Sequence, residues 1–132
     1  MICRSNFIAT IFLVLACAAV SVHAGLLEKY SYVFKGKLVS VPIGEFEGVR
    51  YNDVCLKAPD RCEALKNFRK PAQVKTSDVE TLSSDYCRVA GGSPLLLTSS
   101  RGGGSLFCVF KDLSMVDARA LSAQAARKAG TK

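Results

Sequence analysis

The chain has 132 residues, 49% of them hydrophobic, with eighteen basic against eleven acidic side chains and a formal net charge of +7. That length suits one domain with a modest core, and with no tryptophan and a single histidine, His23, the composition excludes machinery that needs two or more histidines. The charge favours anionic partners, either acidic proteins or anionic envelope surfaces, although a solvated basic surface is the plainer reading of the same count.

Residues Met1 to Ala24 have the layout of a secretory signal peptide: Arg4 as the positive region, an apolar run from Phe7 to Val20, and Val22-His-Ala24 as a cleavage site. The run falls short of the roughly 20 apolar residues that a membrane-spanning helix needs, and no later segment approaches that length, so no transmembrane segment is expected. Val14-Leu-Ala-Cys17 has the form of a lipobox and would leave Cys17 lipidated, but Leu15 is unusual there and Val22-x-Ala24 fits ordinary cleavage better. The expected product is therefore exported, periplasmic or secreted, and begins near Gly25. It has seventeen basic against eleven acidic residues, no histidine, and four cysteines: Cys55, Cys62, Cys87 and Cys108. An even cysteine count in a short exported chain implies disulfides. Without Cys-x-x-Cys spacing, neither a zinc ribbon nor a thioredoxin-like pair is suggested, and no metal or cofactor is expected.

Tyr30–Phe34 and Lys37–Val41 are β-branched and aromatic and predict two strands of a hairpin about Lys35-Gly36. Pro42, which cannot donate to a ladder, is expected to end the second strand or to hold it at a sheet edge. Gly44–Gly48 reads as a turn, with Glu45 and Glu47 as solvated turn residues rather than a catalytic carboxylate pair, and Val49–Leu56 as a third strand. Asp60-Arg-Cys-Glu63 has the form of a capping box for a helix from about Arg61 to Lys70, stopped by Pro71. Leu65 and Phe68 would face the core. Lys66, Arg69 and Lys70, with Arg61 and Lys75, form the densest basic patch, but no aromatic side chains are interleaved for base stacking, so specific nucleic-acid binding is not supported. Four cysteines allow three pairings, and the sequence alone does not choose among them. The favoured set joins Cys55 to Cys62, an easy local bridge, and Cys87 to Cys108.

Thr76 or Ser77 can cap a helix whose Val79, Leu82, Tyr86 and Val89 share a face, and Gly91-Gly92 would end it. Leu95–Leu97 and Leu106–Phe110 predict two more short strands, joined by a flexible loop over residues 98–105 that contains Arg101-Gly102-Gly103-Gly104. A cystine from Cys87 to Cys108 would then staple the helix to the returning strand, near Tyr86 and Phe107. A last helix is expected from about Met115 to Ala129. The expected fold class is α+β: a small antiparallel sheet with two or three helices, stapled by disulfides. The whole of 25–132 would be one domain, with strands and a short helix over 25–75 and a helix–hairpin–helix unit over 76–127.

Tyr86-Cys87-x-x-x-Gly91-Gly92, the returning Cys108 and Asp117-x-Arg119-Ala120-Leu121 resemble a small bacterial exported domain family of unknown function, whose members often carry a hemolysin label. The resemblance covers about residues 83–125. Two positions depart from the family pattern. Asp112-Leu113 stands where the family has an Asp-Gly or Gly-Gly turn, and Arg119 stands where it has a tryptophan. The resemblance implies export and a fold, but supplies no catalytic residues. The label itself has weak physical support, since the last helix offers only Met115, Val116 and Leu121 as bulky apolar groups, too few for a lytic amphipathic helix.

The expected function is a non-enzymatic binding module that docks a protein or a cell-envelope component. The alternatives are an envelope structural or stress-related protein and, more distantly, an inhibitor or immunity-type protein or a hydrolase. Arg101-Gly-Gly-Gly-Ser105 lacks the Gly-Lys-Ser/Thr ending of a phosphate loop, and without histidine the mature chain has no Ser-His-Asp or Cys-His set. The candidate contact residues are Arg101, Gly102, Gly103 and Gly104 in the loop, and Lys66, Arg69 and Lys70 on the helix.

Overall fold

The computed structural model describes residues 27–73 and 83–130. Residues 1–26, which carry the expected signal peptide and Cys17, lie outside the described residues, as do Lys75, Thr76, Ser77, Val79 and Leu82.

Six antiparallel strands form a closed barrel: β1 (Glu28–Phe34), β2 (Lys37–Phe46), β3 (Val49–Asn52), β4 (Ser93–Ser99), β5 (Gly104–Val109) and β6 (Met115–Asp117), in the spatial order β1-β2-β3-β6-β5-β4. This overturns the expected small α+β sheet. The difference lies in β6, a three-residue strand hidden at the start of what reads as one long helix. Its Val116 pairs with Tyr51 of β3, and Met115 to Asp117 pair with β5, so β6 bridges two hairpins that would otherwise keep open edges. On the far side Tyr30 and Ser31 of β1 pair with Ser99 and Thr98 of β4, which completes the ring.

The two tight turns are set locally. Lys35-Gly36 and Glu47-Gly48 both hold positive φ at each central residue, the type I′ geometry whose twist matches a two-residue hairpin. β2 does not stop at Pro42. It runs on to Phe46, and Pro42 sits where only β1 pairs with the strand, so its missing N–H breaks no ladder. The expected turn over Gly44–Gly48 is thus shorter, and Gly44 belongs to the strand. A Cβ there would lie 2.6 Å from Leu56 Cδ1 and 2.7 Å from Leu27 Cδ2, so glycine allows both leucines to cross the strand.

The third strand is also shorter than expected. It ends at Asn52, and Asp53–Lys57 is a short helix, α1. The Asn52 side chain is committed to another part of the chain: Nδ2 donates to the Leu113 carbonyl at 2.8 Å and Oδ1 accepts from Met115 N at 2.9 Å. A 3-10 turn over Pro59–Arg61 leads to α2 (Glu63–Arg69). Asp60 does not cap this helix. Cys62 is the N-cap, and the free amides of Glu63 and Ala64 are taken at 2.9 Å by Asp112 Oδ2 and Ser114 Oγ from the β5–β6 turn. A sequence window cannot show caps supplied from some fifty residues away.

α3 (Ser83–Val89) ends as the two glycines predict. Gly92 N donates to Cys87 O at 2.9 Å and Gly91 N to Arg88 O at 3.0 Å, with Gly91 at φ 90°, which is a Schellman stop. Val89 is exposed instead of sharing the core face of Tyr86. The last helix, α4 (Ala118–Ala129), begins three residues later than expected, because Asp117 turns the chain out of β6 and caps it: Oδ1 accepts from the amides of Arg119 at 2.9 Å and Ala120 at 3.2 Å.

Alternation along the strands creates two cores. Inside the barrel lie Tyr30, Val41, Ile43, Leu97, Phe107 and Met115. Outside it, under the helices, Tyr51, Leu65, Tyr86, Phe110, Val116 and Leu121 pack with all four cysteines. The cystines are Cys55–Cys62 and Cys87–Cys108, with Cα separations of 4.9 and 5.5 Å. Phe107 points into the barrel, so it does not pack beside the Cys87–Cys108 staple with Tyr86; the two rings lie in different cores. Among the described residues no helix is long and apolar enough to cross a membrane.

Candidate functional site

The two expected contact regions lie on different elements. Lys66 and Arg69 on α2 and Lys70 at its C-cap are exposed, and there Arg69 Nη2 approaches Glu47 at 3.9 Å and the Arg69 carbonyl accepts from Lys128 Nζ. The expected flexible loop over 98–105 is a tied turn of only four residues, Ser100–Gly103. Ser99 N donates to Gly103 O, Gly102 N to Ser99 O and Ser100 N to Lys29 O, each at 3.0 Å. Gly104 is already in β5, opposite Thr98. Arg101 lines an open depression of about 380 Å³ with Leu27, Glu28, Lys29 and Ser100.

The most constrained polar cluster involves residues that composition and spacing did not single out. Arg50 lies on β3 between Val49 and Tyr51, and strand alternation turns its side chain to the opposite face from Tyr51, toward the barrel interior. Its guanidinium lies 5.4 Å from the Phe107 ring centroid and 6.0 Å from that of Tyr30, and the two rings meet edge-on at 5.7 Å. Arg50 Nε donates to Asp117 Oδ2 at 3.0 Å, and Nη2 makes a closer ion pair with the same oxygen. Nη1 donates to Tyr30 OH at 2.8 Å and to Ser105 Oγ at 3.4 Å. Glu28 and Ser99 extend the network, with Ser99 Oγ donating to Glu28 Oε1 at 2.6 Å. Partial burial lowers the Arg50 pKa, but the hydrogen bond and the charge of Asp117, helped by Tyr30, outweigh it and hold the guanidinium above its ordinary value. Asp117 therefore does two jobs: one oxygen caps α4 and the other fixes Arg50.

Beside this pair is a cavity of about 410 Å³ between α3, the first turn of α4, and strands β4 and β5. Ser83, Ser84 and Ser105 bring hydroxyls to it, Leu96 and Leu106 an apolar wall, and Arg119 a second guanidinium. Arg119 is exposed and makes no side-chain hydrogen bond or ion pair with any described residue. Such a lining suits an anionic or hydroxylated group: one arginine is held rigid by a carboxylate, and the other is free to close on a ligand. Ser105 Oγ accepts from the Arg50 guanidinium, and Ser83 Oγ is hydrogen-bonded to Ser122 Oγ at 3.2 Å. Among the described residues no three His, Cys, Asp or Glu side chains gather as a metal site.

The one visible trace of this site in the sequence was the Asp117-x-Arg119 pair within the resemblance. Arg50 gave no signal, because its partner stands 67 residues away. No family model matches the chain, and no curated protein or solved structure matches it.

Proposed function

We propose that this protein is a small exported binding module without catalytic activity, which docks a protein or an anionic cell-envelope component through the groove beside Arg50 and Arg119. The observation that carries this reading is the Arg119 guanidinium, unpaired among the described residues, in a groove whose other arginine is immobilised. Two disulfides and a closed barrel hold the groove on a rigid scaffold, which limits the entropy lost on binding. Export is supported by the same two disulfides, which persist in oxidising compartments.

The test is capture from envelope extract by immobilised protein, comparing the wild type, Arg119→Glu, and Arg101→Ala in the β4–β5 turn, which lines the separate depression. Wild type should retain a saturable component, and Arg119→Glu should weaken its capture at least about tenfold, the worth of one charge-assisted hydrogen bond. Arg101→Ala should matter little. Equal capture by wild type and Arg119→Glu would refute the groove, and the absence of any saturable partner would favour an envelope structural role.

A further inference from the structure

We propose that the tip of the β1–β2 hairpin is a membrane-contact element that seats in the headgroup region of a bilayer rich in anionic lipid. The tip is isolated from the rest of the sheet. β4 pairs with β1 only at Tyr30 and Ser31, and β3 pairs with β2 only from Ile43 onward. From Tyr32 to Val39 the two strands therefore hydrogen-bond to each other and, among the described residues, to no third strand, through Tyr32–Val39, Val33–Leu38 and Phe34–Lys37.

Its side chains are those that a soluble barrel would normally cover. Val33 and Leu38 stand directly opposite each other on one face, 68% and 73% exposed, and Phe34 on the other face is 57% exposed. Single exposed apolar residues are ordinary, but three adjoining ones at a projecting turn form a contact patch. The charges agree in sign. Lys35 lies in the turn and Lys37 follows it, Lys35 Nζ lies 5.4 Å from the Phe34 ring centroid, and no acidic residue occurs between Lys29 and Gly44. Lysines with apolar stems at the end of an apolar ribbon are placed to lay those stems along the acyl boundary and to meet phosphate with their ammonium groups.

Geometry separates a bilayer from the other possible occupants. Apolar groups point from both faces of the tip, whereas a flat protein surface covers only one. A second copy of this chain would bring Lys35 and Lys37 against identical cations. A lipid interface surrounds the tip on all sides and supplies the opposite charge. Three residue pairs at about 3.3 Å each project about 10 Å, which matches the roughly 5–10 Å depth of interfacial burial. A spanning strand needs roughly 9–11 residues, and the free backbone edges of the ribbon would be unsatisfied in hydrocarbon. The element therefore rests at the surface and does not cross or lyse. The inference is independent of the groove.

Because the chain has no tryptophan, Phe34→Trp places a single reporter at the tip. In the chain from Gly25 onward, which contains every barrel strand and both disulfides, its emission should shift to the blue with vesicles of phosphatidylcholine and phosphatidylglycerol, and not with phosphatidylcholine alone. In flotation of the otherwise native chain, Lys35→Gln and Lys37→Gln should each lower partition about fivefold. Phe34→Ser with Leu38→Ser should abolish it while the unfolding transition stays in place, since both sites are exposed. Arg119→Glu should leave it unchanged, so failure of this inference and failure of the groove are read separately. The inference is overturned by unshifted emission, by equal binding to neutral vesicles, by loss of partition in Arg119→Glu, or by a blue shift that grows with protein concentration without lipid, which would assign the tip to a second copy.

Discussion

Replacing Gly92 by alanine should cost far more than replacing its neighbour Gly91, for a reason that the Cys87–Cys108 bond makes testable. A Cβ on Gly92 would fall on Cys108 Sγ and stand 3.2 Å from both Cys87 Sγ and the Val109 carbonyl oxygen. The cystine is held in a fully buried layer, and the carbonyl belongs to β5, so neither can move aside cheaply. Overpacking of this kind costs about 1–3 kcal/mol, and with backbone among the obstructing atoms the upper end is expected. Gly91 has open space around its missing Cβ but sits at φ 90°, so alanine there should cost only the left-handed penalty of about 1–2 kcal/mol. The assay is a double-mutant cycle in urea, with each glycine variant made in the native chain and in a Cys87→Ala/Cys108→Ala background. Removing the bond should itself cost about 3 kcal/mol for a loop of this size. Without the sulfur atoms most of the Gly92→Ala penalty should vanish, while the Gly91→Ala penalty should persist. Additive behaviour of Gly92→Ala with loss of the cystine would refute this reasoning.

Leu113→Gly should stabilise the protein by about 1 kcal/mol, because Leu113 holds φ 67° with its side chain 67% exposed and gives up little packing; a shift in urea midpoint at constant slope would show it. Asp112→Ala should cost about 1 kcal/mol at neutral pH by uncapping α2. Burial raises the Asp112 pKa, but hydrogen bonds from Ser114 and from the Glu63 amide overcome this and hold it below its ordinary value. The native carboxylate's contribution is thus complete above the unfolded pKa of about 3.9 and is lost as pH falls through the lower native one, so the wild-type advantage should shrink in acid denaturation curves. Burial, with the Glu47 charge next, pushes the Tyr51 phenol up to about 12. Its neutral form therefore contributes stability below an unfolded pKa of about 10, lost as pH rises through the native value, and Tyr51→Phe should flatten the alkaline limb of stability against pH. Arg50→Met should cost about 1–3 kcal/mol by leaving Oδ2 of the Asp117 carboxylate, 13% exposed, without its donor, and Arg50→Lys should recover only part because an ammonium cannot fork; thermal melts of the three proteins would rank them.

Features written in neighbouring residues were legible. Lys35-Gly36 marked its hairpin, Gly91-Gly92 stopped α3, the strands around Leu97 and Phe107 stood out as apolar runs, and the favoured cysteine pairs are the bonded ones. Features written across the chain were not. Met115-Val116-Asp117 continues smoothly into a helical pattern, and only pairing with Tyr51 and with β5 makes it a strand, so the closure of the sheet was invisible locally. The α2 caps come from Asp112 and Ser114, and Asp60, the better local match, is not used. The candidate site failed to show for the same reason. Arg50 is one basic residue among eighteen until β6 brings Asp117 to it. The Arg101 turn looked loose because glycine permits disorder, yet its hydrogen bonds to Ser99 and Lys29 are a matter of register.

The ring of strands also fixes when this molecule can become itself. β1 is made early, but its second neighbour is β4, tied to it through the Glu28–Ser99 bond 71 residues on, and β3 waits for Val116 near the far end. A chain emerging with its N-terminus first can build the β1-β2-β3 meander and then the β4–β5 hairpin, but the ring stays open until nearly all of it is free. Ring closure over such separations is slow compared with local helix formation. The strand that seals the ring, β6, is the last to be made, so the closed sheet is among the last features the chain acquires.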